Sequence, residues 1–158
     1  MIQSMFDIVL SVCPPIIKKV FYKFSFAHFG KNIYIGPKCF FRYPWKIKIS
    51  SNTSIGGGCQ IYPSFKGKQS FVVIGSNVLI GPNLCIFGAG HPVGSLTEAH
   101  ISANVVIGDS VYIGGNVTIR YGVSIGEGAT IGVGSIVTKD VPAFSVVAGN
   151  PAVIIRQD

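Results

Sequence analysis

Charged side chains are scarce in this sequence, since Asp, Glu, Lys and Arg make up 12% of its 158 residues, about half of their usual share. A chain with so little charge is expected to hide part of its apolar surface in an oligomer or against a membrane. Hydrophobic residues account for 48% and are rich in Ile and Val, which favours strands over helices. The length corresponds to one domain with a sizeable core.

Acidic residues are the scarcest of the charged types. Six Asp and Glu against thirteen Lys and Arg leave a net charge of +7. This imbalance predicts an anionic partner, which can be a nucleic acid, a phosphorylated cofactor or anionic lipid. The basic residues do not form the dense Lys/Arg run of a nucleic-acid-binding arm, so we expect no nucleic-acid partner.

Closely spaced cysteine pairs, leader features and long apolar runs are also lacking. The four cysteines contain no CxxC pair, which argues against a disulfide framework and predicts free thiols in a reducing cytoplasm. The N-terminus lacks the basic segment and the small-residue cleavage site of a signal peptide. Its apolar stretch is interrupted by Pro14-Pro15 and by Lys18-Lys19, too early to span a bilayer. We therefore expect a cytoplasmic location for the chain.

A six-residue repeat is the dominant feature that is present. From Ile107 to Val137 an aliphatic residue recurs every six positions, and glycine follows it in four of the six units. The same phase occurs earlier from Ile74, with fainter copies from Ile35. A hexapeptide repeat is the signature of a parallel β-helix. We expect the aliphatic residue to point inward, the glycine to allow a backbone geometry that a Cβ would penalise, and three repeats to close one coil.

Two interruptions of the repeat indicate the functional face, because repeat arrays place their insertions there. The spacing of 21 between Ile86 and Ile107 predicts a protruding loop at about residues 87–106, which contains a Gly-His-Pro sequence. A second irregularity, rich in Lys and Gly, extends from Tyr62 to Ser70.

The N-terminal segment differs in composition from the repeats. Residues 1–30 are apolar, aromatic and basic, whereas residues 31–158 carry the repeat domain. We expect the segment to cap the open end of the β-helix, or to lie on a membrane through residues 1–28 as a basic amphipathic element. The second alternative places the chain at the inner face of the cell membrane.

The repeats, the Gly-His-Pro loop and the C-terminal sequence from Ile136 to Ala152 (IVTKDVP…AGNPA) together resemble the hexapeptide-repeat acyltransferases. The chain is most similar to the galactoside and maltose O-acetyltransferases and to related enzymes of capsule, O-antigen and exopolysaccharide synthesis. The resemblance implies an all-β fold, a left-handed parallel β-helix, whose handedness departs from the usual right-handed crossover. It also implies acetyl transfer from acetyl-CoA to a sugar hydroxyl, no metal, and a homotrimer with active sites between subunits.

The resemblance makes His91 the catalytic base. Imidazole titrates near neutral pH, so it can take the proton of a sugar hydroxyl during attack on the thioester and return it to the CoA thiolate. Pro92 favours an extended backbone at His91, which suits a side chain presented from a loop.

Coenzyme contacts are implied at five further positions: Gly115, Val133, Thr138, Lys139 and Arg156. A backbone N–H at Gly115 can stabilise the tetrahedral oxyanion, while Lys139 and Arg156 suit phosphate recognition. A second C-terminal arginine of the family is replaced by Val153 here. On the acceptor side, an asparagine and an aspartate of the galactoside-type enzymes give way to glycines at 56–58 and residues such as Gln69, which leaves the acceptor open.

Other functions remain open beside sugar acetylation. Xenobiotic acetyltransferases of the chloramphenicol and streptogramin type share the Gly-Asn-Pro-Ala ending, but carry a longer aromatic loop around their histidine. A non-catalytic β-helix scaffold has no reason to keep the histidine loop. A γ-class carbonic anhydrase needs three converging histidines, whereas His28 lies far in sequence from His91 and His100. A covalent route through Cys85 is disfavoured because that residue occupies a coil position.

Overall fold

The computed structural model describes residues 14–66, 70–91 and 101–157. Within these ranges one α-helix, α1 (Pro15–Ser25), and a 3-10 turn (Pro44–Lys46) accompany a series of short strands. The strands are β1 (His28–Phe29), β2 (Tyr34–Ile35), β3 (Phe40–Phe41), β4 (Ile47–Ile49), β5 (Ser54–Ile55), β6 (Gln60–Tyr62), β7 (Val72–Ile74), β8 (Leu79–Ile80), β9 (Cys85–Phe87), β10 (Ala89–Gly90), β11 (Ile101–Ser102), β12 (Val105–Ile107), β13 (Tyr112–Ile113), β14 (Thr118–Ile119), β15 (Ser124–Ile125), β16 (Thr130–Ile131), β17 (Ile136–Val137), β18 (Ser145–Gly149) and β19 (Ala152–Gln157).

Three parallel sheets run along the molecule. The first sheet has the order β1-β4-β7-β12-β15, the second β2-β5-β8-β13-β16-β18, with β19 added at its edge, and the third β3-β6-β9-β14-β17. The chain visits the three sheets in turn and advances by one strand per circuit. This arrangement is the left-handed parallel β-helix expected from the sequence.

Stacked aliphatic side chains form the core of the β-helix. In the second sheet the inward residues pair in register from coil to coil: Ile35, Ile55, Ile80, Ile113, Ile131 and Val147. All six inward positions predicted from Ile107 to Val137 are buried. Because each strand is only two to six residues long, it buries its apolar side only through the coils above and below it.

Glycine is required after the inward residues for a different reason from the one expected. Gly56, Gly81 and Gly114 are not among the residues with positive φ. A Cβ on Gly56 would lie 2.7 Å from the carbonyl carbon of Gly81, and a Cβ on Gly81 would lie 2.6 Å from the nitrogen of Gly115. The expectation of a special backbone geometry was wrong here, since close approach of the next coil's backbone is what requires glycine.

The helix α1 covers the N-terminal end of the coil. The Tyr22 ring packs against Phe26, Phe29 and Phe41, with centroid separations of 5.5, 6.2 and 5.7 Å, and Phe26 is buried. Residues 1–13 of the predicted cap lie outside the described ranges. Within those ranges, no helix has the length and apolar character needed to cross a bilayer.

The C-terminal end is closed by a hairpin. Strand β18 pairs in parallel with β16, so it adds one more strand to the second sheet beyond the last clear repeat. Strand β19 then folds back antiparallel onto β18. Because β19 covers the edge of β18, it satisfies backbone groups that an open sheet end would expose.

Candidate active site

His91 directly follows one strand of a small protruding stem. After β9 the chain leaves the coil, and β10 pairs antiparallel with β11 before β12 rejoins the first sheet. We call this β10–β11 pair the histidine stem. His91 is exposed, and residues 92–100, including Pro92 and His100, lie outside the described ranges.

The histidine stem rests on the end of β14. A Cβ on Gly90 would collide with the Tyr121 ring, so glycine lets the stem lie directly against that ring. Arg120 stacks on the same ring, with its guanidinium 4.4 Å from the Tyr121 centroid, and donates a hydrogen bond of 2.9 Å to the Tyr121 hydroxyl. His91 is thereby placed at the corner that follows the third sheet.

Gly115 and Val133 lie at the preceding corner, between the second and third sheets. Both belong to equivalent turns of successive coils, after β13 and β16 respectively. The nitrogen of Gly134 donates a 2.9 Å hydrogen bond to the Gly115 carbonyl, and the Val133 side chain is 73% exposed. The structure therefore brings these two predicted positions together on one open edge.

The remaining predicted coenzyme residues lie elsewhere. Thr138 is half-buried and Lys139 exposed, just after β17 at the corner that follows the third sheet. Arg156 is exposed on β19 opposite Val146. Val153, which replaces a family arginine, is 62% exposed on the same strand. The five positions thus line two corners and the outer edge of the C-terminal hairpin.

His91 and Gly115 stand at opposite edges of the third sheet. From Gly115 to Arg120 the chain crosses this sheet in five residues, which would span at most about 16 Å if they were fully extended. His91 and Gly115 therefore occupy different edges within one copy of the chain.

A cavity of about 400 Å³ lies beside the histidine stem. Its lining contains four aromatic rings and two cations, in the set Arg42, Tyr43, Tyr62, Pro63, Ser64, Phe65, Lys66, Phe87 and Ala89. We call it the aromatic cavity. Its lining takes residues from both interruptions of the repeat, the irregularity between Tyr62 and Ser70 and the start of the loop at about 87–106.

The acceptor-side glycines noted in the sequence do not belong to this cavity. Residues 56–58 form the turn after β5, at the opposite edge of the third sheet, and Gln69 lies outside the described ranges. The individual lining residues were missed because residues 42, 62 and 87 become neighbours only through coil stacking.

Two titratable groups near the cavity have shifted pKa values. Burial raises the pKa of Tyr62, and the Cys85 thiol adds to the rise while Arg42 opposes it. Burial also raises the pKa of Cys85, which keeps the thiol protonated and a poor nucleophile. Among the residues that the structure describes, no three His, Cys, Asp or Glu side chains are grouped so as to hold a metal ion.

Comparisons with known proteins agree with this architecture. The family model described as "Bacterial transferase hexapeptide (six repeats)" matches residues 99–139. The chain is 38% identical to the galactoside O-acetyltransferase of Escherichia coli K12 over 138 residues, which covers 85% of this chain and 66% of that protein. It therefore spans just under two thirds of this curated relative.

Solved structures show the same likeness. A maltose O-acetyltransferase from Clostridium difficile 630 superposes with a TM-score of 0.77 at 31% identity, over 89% of this chain and 74% of that one. A hexapeptide-repeat containing acetyltransferase from Vibrio cholerae, complexed with acetyl coenzyme A, superposes with a TM-score of 0.82 at 29% identity, over 91% of this chain and 78% of that one.

Proposed function

Because the chain belongs to the hexapeptide-repeat acetyltransferases, we propose that it moves an acetyl group from acetyl-CoA to a sugar hydroxyl, with His91 as general base. The observation that carries this proposal is the exposed His91 on the histidine stem, whose residue Ala89 lines the aromatic cavity. A base at the mouth of a cavity of this size can meet the hydroxyl of a bound saccharide. The acetyl-CoA bound to the Vibrio cholerae relative supports the choice of donor.

The proposed reaction is a direct transfer. The His91 imidazole accepts the proton of the hydroxyl while the oxygen attacks the thioester carbonyl carbon, so that a C–O bond forms. The resulting oxyanion accepts a hydrogen bond from a backbone N–H in the turn at Gly115. Collapse of this intermediate breaks the C–S bond, and the imidazolium returns the proton to the CoA thiolate. The products are the acetylated sugar and free CoA.

Coenzyme recognition is proposed along the edge that carries Gly115 and Val133. The pantetheine arm lies across the exposed Val133 side chain, and Arg156 provides a cationic contact to the remaining part of the coenzyme. Thr138 and Lys139, at the corner that carries His91, provide polar and cationic contacts from the copy that supplies the histidine. Cations suit its phosphates because they pair with dispersed negative charge.

The active site is proposed to form between copies of the chain in a homotrimer. Supporting this, His91 and Gly115 lie at opposite edges of the third sheet within one chain, so a neighbouring copy can bring its Gly115 edge next to His91. The outer face of the second sheet offers contact surface, since Tyr34, Leu79 and Tyr112 are 60%, 50% and 46% exposed there. Exposed apolar patches of this kind mark interaction sites.

Mixed oligomers test this sharing. His91→Ala removes the base, and Val133→Glu places a carboxylate on the proposed coenzyme path, so each variant alone is expected to be nearly inactive. When both are co-expressed, random assembly leaves about a quarter of the sites with an intact histidine and an intact groove. We expect thiol release to return to about that fraction of the wild-type rate. The same variants mixed after separate purification serve as the control, and mixed oligomers without recovered activity would contradict a shared site.

Peripheral membrane contact at the cytoplasmic face is the second part of the proposal, and it favours a role in surface polysaccharide synthesis. The α1 helix exposes Ile17, Val20 and Phe24 to the extent of 53%, 54% and 84%. Lys23, which is also exposed, lies in its last turn. Apolar side chains beside cations are the pattern that binds anionic lipid surfaces.

Vesicle sedimentation measures this contact. The wild type is expected to pellet with vesicles containing anionic phosphatidylglycerol and to stay in solution with phosphatidylcholine alone. Replacing Ile17, Val20 and Phe24 by serine should lower the bound fraction at least about fivefold, since each buried apolar side chain contributes roughly 1.5–3 kcal/mol. The matched control is the pair Ile154→Ser and Ile155→Ser, exposed apolar residues on β19. Equal pelleting of all three proteins would contradict contact through α1.

A further inference from the structure

We propose that the aromatic cavity selects an acceptor saccharide that carries a negative charge, as a carboxylate or a phosphate, with Arg42 as the principal anion contact. The identity of the ligand as an acceptor rests on the proposed acetyl transfer, whereas the preference for a negative charge rests on the cavity alone. Aromatic side chains provide the surface for the sugar ring, and Arg42 and Lys66 in the lining provide the charge.

Coil stacking creates the recognition surface. Tyr62 pairs with Phe87 in the third sheet, and the nitrogen of Arg42 donates a 2.9 Å hydrogen bond to the Ile61 carbonyl, which places Arg42 one coil before Tyr62. Ile119 pairs with Ile86. Arg120 and Phe87 are the residues that follow this pair, so Arg120 lies one coil after Phe87. The result is an outer ladder with two rings in the middle and an arginine at each end.

The two central rings stack on each other and form an apolar wall of the cavity. Tyr62 and Phe87 are stacked with centroids 5.8 Å apart and an interplanar angle of 13°, and Phe87 is 43% exposed. The C–H bonds of a pyranose can pack on such an apolar wall, while its hydroxyl groups are left for polar contacts. Ligand sites combine apolar walls with a few placed polar groups in this way.

The charge around these two rings is positive. Residues 14–91 contain ten of the thirteen Lys and Arg residues and none of the six Asp and Glu residues of the chain. Two of the acidic residues that the structure describes accept hydrogen bonds in turns of later coils. Asp109 accepts one of 2.7 Å from the Ser76 nitrogen, and Asp140 accepts one of 2.8 Å from the Ser124 nitrogen. Arg42 and Lys66 line the cavity itself. A site surrounded by one sign of charge raises the local concentration of ligands of the opposite sign.

The cavity wall is held in place by Lys46. Its ammonium donates hydrogen bonds of 2.8 Å to the Ser64 carbonyl and 2.7 Å to the Ser70 hydroxyl. The Ser70 hydroxyl in turn donates to the Ser64 carbonyl at 2.7 Å, and both serines are buried. A fixed wall loses little conformational freedom when a ligand binds, which favours affinity.

The Arg42 side chain is itself oriented by a ring contact. Its guanidinium lies 5.1 Å from the Tyr43 ring centroid, and Tyr43 packs against Phe65 with centroids 5.6 Å apart. A guanidinium that stacks on a ring presents its N–H donors in the plane of the fork, which matches the geometry of carboxylate and phosphate oxygens.

Calorimetric binding to the full chain, in the absence of acetyl-CoA, tests the charge preference. The probes are two matched pairs: p-nitrophenyl β-glucuronide against p-nitrophenyl β-glucoside, and glucose 6-phosphate against glucose. In at least one pair, the charged member is expected to bind at least about tenfold more tightly at low salt, and the pair that responds distinguishes a carboxylate from a phosphate. Arg42→Gln should remove this advantage, whereas neutral sugars should change less than about twofold.

Two further variants give this test its controls. Arg42→Lys keeps the charge and should retain part of the preference, whereas Lys31→Gln removes a cation from the turn between the first and second sheets and should change nothing. Equal affinity for the members of both pairs, or a preference that survives in Arg42→Gln, would overturn the anionic subsite. Thiol release is measured separately with the same sugars. A charge preference without any thiol release would leave the subsite standing and contradict the proposed acetyl transfer.

Discussion

His91→Ala is expected to lower sugar-dependent thiol release from acetyl-CoA by about 10²- to 10⁴-fold, the usual contribution of a general base. The reason is that a sugar hydroxyl is a weak nucleophile until its proton is accepted, and the exposed His91 beside the cavity is the base proposed for this step. Binding of CoA should change by less than about twofold, because the proposed coenzyme contacts are made by other residues.

The assay uses a panel of neutral and acidic saccharides at equal concentrations of folded protein. His28→Ala is the matched control, since His28 is also exposed but lies in β1, at the N-terminal end of the β-helix. An unchanged rate in His91→Ala would contradict the base assignment. Release with chloramphenicol but with no saccharide would favour a xenobiotic acetyltransferase, and failure of the wild type to bind CoA would favour a scaffold.

Gly56→Ala is expected to destabilise the folded protein by more than about 3 kcal/mol, which is large for the addition of one methyl group. The new Cβ would lie 2.7 Å from both the carbonyl carbon of Gly81 and the nitrogen of Pro82. These are backbone atoms of the next coil, so relief requires the coils to separate and the stacked core to loosen.

Gly134→Ala separates this steric effect from backbone conformation. Gly134 has a φ of +71°, and a Cβ added there would have no neighbouring atom within 4 Å. Its substitution therefore costs only the left-handed backbone penalty of about 1–2 kcal/mol. Thermal midpoints at equal protein concentration measure both variants. A Gly56→Ala protein as stable as Gly134→Ala would contradict the requirement for close coil packing.

The fold could be predicted from the sequence because its core is local and periodic. Each inward residue, such as Ile113, stacks on a residue a whole number of coils away, so six-residue spacing alone specifies which side chains are buried. The same periodicity indicated the loop before Ile107, because an insertion interrupts the phase. The resemblance then singled out His91 and the turn positions Gly115 and Val133.

Only the tertiary structure decided which residues of different coils become neighbours. The intervals between coils vary with the insertions, so residues as distant as Arg42, Tyr62 and Phe87 come into register without any fixed sequence spacing. The close approach of Gly56 to the next coil was hidden for the same reason, since glycine suggests conformational freedom when only the sequence is seen.

The sequence by itself therefore determined the parallel β-helix, its buried residues and the position of the histidine loop, because these depend on a repeat that is read along the chain. Only the tertiary structure decided that His91 and Gly115 occupy opposite edges of one sheet, and that an aromatic cavity with Arg42 lies beside the histidine. Those features depend on stacking between coils, where the pairing of strands rather than the order of residues determines which side chains meet.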